Sequence, residues 1–294
     1  MKIEELKKSM EQAKPQFQPW LRALTENYVE KTMRLNPVSA KANGFFYQFT
    51  AARELKIKIV PDVSPTFIFN CDRSKPKAYY WGISNELKIL ELNPKTTYFC
   101  VKPYAIFGTK GWKLSPAELY GNHFGLTDVF KDVYDLHVKI AQADSFSQRI
   151  DLFGDHFIEY WIDYEYQMSL EEYIAMNLYM KHLNSSIINI EDLTGYSKRY
   201  CRKKFADSYS FSPKKYLEVF RFQKTIRMLS DKNQNHSITQ IAYENGYFDE
   251  SHFINDFKSY AQTSPENFRR SINGLFVPCS LEKNNDCEKI KRTK

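Results

Sequence analysis

Lys198, Arg199, Arg202, Lys203 and Lys204 are five cations within seven positions, with no acid among them. A positive stripe of that density can face a polyphosphate such as nucleic acid. Taken alone, it is equally the solvated face of a surface helix. Other chemistry-bearing patterns are missing from the sequence. There is no GxGxxG, P-loop, GxSxG or CxxC, and Gly108-Thr109-Lys110-Gly111 is too short for a phosphate cradle and reads as a turn. The histidines (His123, His137, His156, His182, His236 and His252) form no HxH or HxxxH pair of the kind that ligates metals. His156 beside Asp155 mimics an acid–base pair but fits a helix surface better. No catalytic residue, metal or cofactor is therefore expected.

The elements that would carry the basic stripe follow from the composition along the chain. A length of 294 residues makes room for about two domains, and 43% hydrophobic with 26% charged residues describes a folded chain. No apolar run is long enough to span a membrane, and the start MKIEELKKSM carries no signal-peptide pattern. The five scattered cysteines suggest free thiols. A cytoplasmic protein without membrane contact is expected. Residues 1–35 read as helical. From Gly44 the chain changes to short aromatic and β-branched runs, including the alternating Leu55-Lys56-Ile57-Lys58-Ile59, with turn residues at roughly ten-residue spacing. That rhythm suggests a β-sandwich or barrel. Helical signals return from Ser115. Phe146, Ile150, Phe153, Phe157 and Trp161 fall at spacings of three or four, and the aromatic load of 157–166 suits a domain-junction or dimer core. From residue 168 the pattern is all-helical, and 274–294 is a polar basic tail, expected to be mobile.

An internal repeat organises the helical part. Ser186-Ile187-Ile188-Asn189-Ile190-Glu191-Asp192-Leu193-Thr194-Gly195-Tyr196 aligns without gaps on Ser237-Ile238-Thr239-Gln240-Ile241-Ala242-Tyr243-Glu244-Asn245-Gly246-Tyr247. After one residue inserted in the second copy, Phe205 matches Phe257 and Ser212-Pro213 matches Ser264-Pro265. In each copy Ser186 or Ser237 caps a short helix, Gly195 or Gly246 makes a sharp turn, and a second helix starts at Ser197 or near Asp249. This is a helix-turn-helix, whose second helix can lie in a major groove. Tyr200, Cys201 and Phe205 are the expected core side of the first such helix. Between the copies, Pro213–Ser230 reads as a rod of about 27 Å, near the ~34 Å repeat of successive major grooves.

These residues resemble the AraC/XylS family of transcription regulators. The resemblance is carried by Gly195-Tyr196-Ser197-Lys198-Arg199-Tyr200, Phe205, Ser212-Pro213-Lys214-Lys215-Tyr216-Leu217, Ile238–Ile241-Ala242, Gly246-Tyr247-Phe248-Asp249-Glu250-Ser251-His252-Phe253, Phe257-Lys258 and Ser264-Pro265. It covers about residues 170–272. The stretch 45–165 is more loosely similar to the sensory region of such regulators, at Phe107-Gly108 in particular. The resemblance implies two helix-turn-helix units joined by a rigid helix and bound to promoter DNA. It places Arg199, Arg202 and Lys203 on the base-reading face of the first recognition helix, and Ser251, His252 and Asn255 on that of the second. Lys198, Lys204, Lys214 and Lys215 then meet phosphates. Two departures stand out. The glycine usual before each Ser-Pro is Ser210 and Gln262, so less regular turns are expected. The usual basic residue late in the second helix is Asn255, and Asp249, Glu250 and Asp256 make that helix acidic, so weaker DNA contact is expected there.

The expectation is an α+β chain in three parts. Residues 1–165 form a β-rich barrel or sandwich-like domain with flanking helices that senses or dimerises. Residues 170–273 form an all-α double helix-turn-helix domain, and 274–294 a tail. The expected partners are double-stranded DNA, a small-molecule or protein effector, and a second copy of the chain. The competing readings are a stand-alone ligand-binding or enzymatic barrel with a protein-binding helical tail, and an architectural DNA binder without an effector.

Overall fold

The computed structural model describes residues 18–34, 43–103, 109–183, 189–231 and 236–272. The expectations for residues 1–17, Phe107-Gly108, His182, the Ser186 cap and the tail 274–294 lie outside the described residues or side chains.

The N-terminal part begins with helix α1 (Pro19–Leu24) and strand β1 (Glu26–Arg34). The helical reading of 1–35 is therefore corrected over 26–34. Backbone pairing with strand β2 (Asn43–Ala51) outweighs the helix-favouring composition there. Strands β3 (Leu55–Ile59), β4 (Thr66–Asn70), β5 (Lys77–Trp81), β6 (Lys88–Leu92) and β7 (Thr96–Pro103) follow the expected rhythm. After a short helix α2 (Pro116–Leu119), strand β8 (His123–Gly125) adds a sixth member to an antiparallel sheet of order β1-β2-β7-β4-β5-β8. Strands β3 and β6 pair separately as a two-stranded sheet.

Period-two alternation builds the two cores. Phe45, Tyr47 and Phe49 of β2, Ile68 of β4, and Tyr98 and Cys100 of β7 share one apolar cluster with Ile57, Leu90 and Leu92 of the small sheet. Their neighbours Phe46, Phe67, Phe69, Phe99 and Val101 point the other way. That face is covered by helices α3 (Leu126–Val129), α4 (Leu136–Gln142) and α5 (Phe146–His156), and by a π-helical turn over Phe157–Trp161. Trp161 stacks on Phe67 at 5.7 Å and on Phe130 at 4.6 Å. Phe153 and Phe157 lie in the same core. Phe157 and Trp161 of the aromatic run thus serve the N-terminal domain's own core, while Tyr166 donates its hydroxyl to Glu172 at the start of the helical part that follows. His156 packs at 4.8 Å from both Tyr160 and Trp161, and burial lowers its pKa.

The C-terminal part is helical: α6 (Leu170–Leu183), α7 (Ile190–Thr194), α8 (Lys198–Tyr209), α9 (Pro213–Ser230), α10 (Ile238–Glu244), α11 (Glu250–Ala261) and α12 (Pro265–Ile272). Helix α9 is its axis. Tyr216, Phe220, Phe222, Ile226 and Leu229 are buried along it. Contacts among the described residues tie the two parts together. Trp20 lies edge-on to Phe268 at 5.1 Å and donates its indole N–H to Ser271 Oγ at 3.1 Å. Tyr120 meets Phe211 at 5.3 Å. Gln223 of α9 donates to the Pro61 carbonyl at 2.7 Å in a buried setting.

Helices α8 and α11 end on the two residues where the family places glycine. Ser210 and Gln262 take left-handed φ values of 61° and 52°, so the turns keep the glycine geometry without the glycine. A Cβ in that region costs about 1–2 kcal/mol, offset in part by the unfolded-state freedom of glycine. Ser210→Gly and Gln262→Gly should each raise unfolding stability by roughly 0.5–1 kcal/mol, read from urea melts. A loss of stability in both would show that these side chains hold contacts worth more than the strain.

Candidate nucleic-acid interface

The first unit is locked by its own turn. Asn189 caps α7 by accepting from the Glu191 N–H at 3.2 Å, three residues after Ser186. Gly195 has φ 71°, where any other residue would be strained. Ser197 caps α8, and the Glu191 carboxylate accepts from the Lys198 N–H at 2.8 Å, bridging the two helices. Cys201 and Phe205, one turn apart, are fully buried. Tyr200 is not on the core side as expected. It is largely exposed and packs on Tyr196 at 5.2 Å. Lys198, Arg199, Arg202, Lys203 and Lys204 are all exposed, and among the described residues none of the five enters an ion pair. Arg199, Arg202 and Lys203 stand at spacings of three and four and so share one helix face.

The second unit repeats the plan. Ser237 caps α10, Gly246 turns the chain with φ 70°, and Asp249 caps α11 through the His252 N–H at 2.6 Å. Ser251, His252 and Asn255 are exposed, opposite the buried Phe253 and Phe257. His252 also accepts from the Phe248 N–H through Nδ1 at 3.4 Å. The acids of this helix have partners within the protein. Asp249 is the cap, Glu250 accepts from the Thr239 hydroxyl at 2.6 Å, and Asp256 pairs with Arg221 of α9 at 3.3 Å. Arg221 in turn lies 4.3 Å over the Tyr247 ring. Of the two lysines opening α9, Lys214 is exposed and reaches Glu218 at 3.7 Å from the surface. Lys215 is folded over the Tyr260 ring at 4.5 Å and pairs with Glu218, which leaves it less free than expected to meet a phosphate. Helix α9 has 18 residues, about 27 Å, as the sequence suggests.

Residues 191–271 match the family model described as a helix-turn-helix domain. This chain carries an AraC/XylS-type double helix-turn-helix domain. A curated relative, an uncharacterized HTH-type transcriptional regulator of Haemophilus influenzae, is 28% identical over 167 residues. The match takes in 51% of this chain and 55% of the relative, so the chain spans about half the length of the curated relative it matches. Among solved structures, fatty-acid-bound ToxT from Vibrio cholerae aligns over 85% of this chain and 98% of its own, at 15% identity and a TM-score of 0.41. The xylose-binding transcription activator XylR aligns over 38% and 30%, at 20% identity and a TM-score of 0.28.

One further cluster, invisible in the sequence, lies within the N-terminal part, next to the segment that bonds α9. Lys102 of β7 is only 4% exposed and forms an ion pair with Asp62. Burial pushes its ammonium down to about 7, and the Asp62 carboxylate works against that by favouring the charge. Asp62 also accepts from the Ser64 N–H at 2.7 Å and from the Gln18 amide at 3.3 Å. Gln18 clamps Val60 through both its N–H and its carbonyl. A cavity of about 290 Å³ opens beside the pair, lined among others by Trp81, Ser84, Asn122 and His123. Asp62 and Lys102 border the cavity, and Pro61, next in the chain to Asp62, bonds Gln223 of α9.

Proposed function

We propose that this chain is a sequence-specific, DNA-binding transcription regulator. One observation carries the reading: the same helix–glycine turn–helix unit occurs twice on a single rigid helix, and its first copy exposes five cations that enter no ion pair among the described residues. Two reading units on one chain supply what simple helix-turn-helix proteins obtain by pairing subunits, so the reading does not require a dimer. Arg199, Arg202 and Lys203 face base edges. Arginine suits guanine because its fork meets O6 and N7 together. Lys198, Lys204 and Lys214 meet phosphates, while Ser251, His252 and Asn255 form the reading face of α11. Residues 170–273 are the binding domain, and residues 1–165 carry the control.

For control, the cavity at Asp62 and Lys102 is the site best placed to take an organic effector. A molecule that displaces the ion pair moves Pro61, and Pro61 is bonded to the helix that spaces the two units. The test is an electrophoretic shift of the full chain with the DNA upstream of its own gene. Binding in the nanomolar range at 50 mM salt, steeply weaker at 200 mM, is expected. A folded chain with no duplex affinity at 50 mM salt would overturn the proposal.

A further inference from the structure

The two units differ by one inserted residue. In the first, Tyr196 is followed directly by the cap Ser197; in the second, Phe248 stands between Tyr247 and the cap Asp249. The insertion changes where the aromatic groups go. Tyr196 lies on the surface, whereas Tyr247 is turned inward to 5% exposure, beneath Arg221 and 5.0 Å from Phe253. Phe248 is left outside at 92% exposure, the highest of any large hydrophobic among the described residues. The next is Tyr243 at 85%, in the helix that leads into the same turn. The Phe248 backbone is tied to His252, so the ring is held at the N-terminal end of α11.

A recognition helix meets base edges with its N-terminal residues. The apolar group on a major-groove edge is the 5-methyl of thymine. Helix α11 opens with two acids, Asp249 and Glu250, and cannot gain by neutralising phosphate there. Apolar contact is the chemistry that this end of the helix offers, and it complements the cationic first helix. We infer that Phe248 is a specificity-determining residue that contacts thymine methyl groups in the groove entered by the second unit. The inference rests on the DNA-binding reading above.

The experiment starts from duplexes selected by the full chain out of a random pool. Each thymine of a selected duplex is then replaced in turn by deoxyuridine, which removes only the methyl group. Wild-type binding should weaken about fourfold at one or two positions, the value of one apolar carbon lost from a contact. Those positions should lie one groove repeat from the guanines read by α8. Phe248→Ala should erase the methyl sensitivity while its salt dependence stays that of wild type, because no charge has changed. Phe248→Leu should keep part of the sensitivity. An unchanged thermal melt of Phe248→Ala separates contact from folding. If duplexes bind well and the two proteins give the same uracil profile, the inference is wrong and the regulator reading stands. Should that same profile accompany lost transcription activation, Phe248 belongs to a protein contact, which also overturns it. If no duplex is selected at all, both readings fall together.

Discussion

Replacing Arg199, Arg202 and Lys203 together by alanine should cost more DNA affinity than any other surface change in this protein. The three side chains share the outer face of α8, and the core face holds only Cys201 and Phe205, so the helix itself stays folded. Where an arginine pairs with a guanine, its loss costs about 1–3 kcal/mol and relaxes choice at one base position. Each cation that instead neutralises a phosphate contributes about −0.9 to the slope of log affinity against log salt. The triple variant should therefore bind at least about a hundredfold more weakly, with a slope shallower by up to about 2.7. Lys198→Ala should weaken all sequences alike, without changing preference. In the opposite direction, Asn255→Arg adds a cation to the exposed face of α11 and should raise non-specific affinity. Binding titrations at several salt concentrations read all of these. If the triple variant kept both affinity and slope while His252→Ala abolished binding, α11 would be the reading helix and the assignment to α8 would be wrong.

The C-terminal half was legible because its signals are local. A cap, a glycine at positive φ and an apolar pair one turn apart all sit within about fifteen residues. The repeat showed them twice, and α9 runs over the residues expected for it. Ser210 and Gln262 read as departures, yet the backbone takes the glycine conformation regardless, because the caps and the helices beyond them fix it. In the N-terminal half β3 was legible from alternation, and β4 to β7 from short aromatic or β-branched runs between turn residues. Strand β1 reads as helix by composition because the partner that makes it a strand, β2, begins beyond an intervening segment. Lys102 carried no signal at all. In the run Thr-Tyr-Phe-Cys-Val-Lys-Pro it looks like an outward charge at a strand end, and its partner Asp62 lies forty residues away. Phe248 did leave a trace as the one inserted residue of the repeat. The meaning of that insertion depends on which of Tyr247 and Phe248 faces inward, and only packing decides this.

Asp62→Asn should be the most damaging single change to stability outside the apolar cores. It keeps the shape of the side chain but leaves the Lys102 ammonium buried without a counter-charge. Breaking one half of a buried pair costs about 3–5 kcal/mol. The loss should depend on pH in a defined direction. Burial holds the Lys102 ammonium near 7 with the carboxylate in place, and removing the charge that favours it lowers its pKa further in the variant. In the unfolded chain lysine titrates near 10.4. Between these values the unfolded state binds more protons than the folded one, so stability rises with pH across this window. The slope approaches about 1.4 kcal/mol per pH unit at its steepest. The other charged or titratable groups around the cavity, Glu86, Lys88 and His123, are the same in both proteins, so a difference between the two pH profiles reports Lys102. Wild type, whose ammonium stands near 7 with the carboxylate in place, should be flatter below pH 7 and rise alike above it. Adding Lys102→Met to the variant should recover most of the lost stability at pH 7, because an apolar side chain needs no partner there. Urea melts of the three proteins at pH 5.5, 7 and 9.5 measure this directly. An Asp62→Asn protein as stable as wild type at pH 7, with the same pH profile, would show that Lys102 reaches solvent and that the pair does not hold the segment bonded to Gln223.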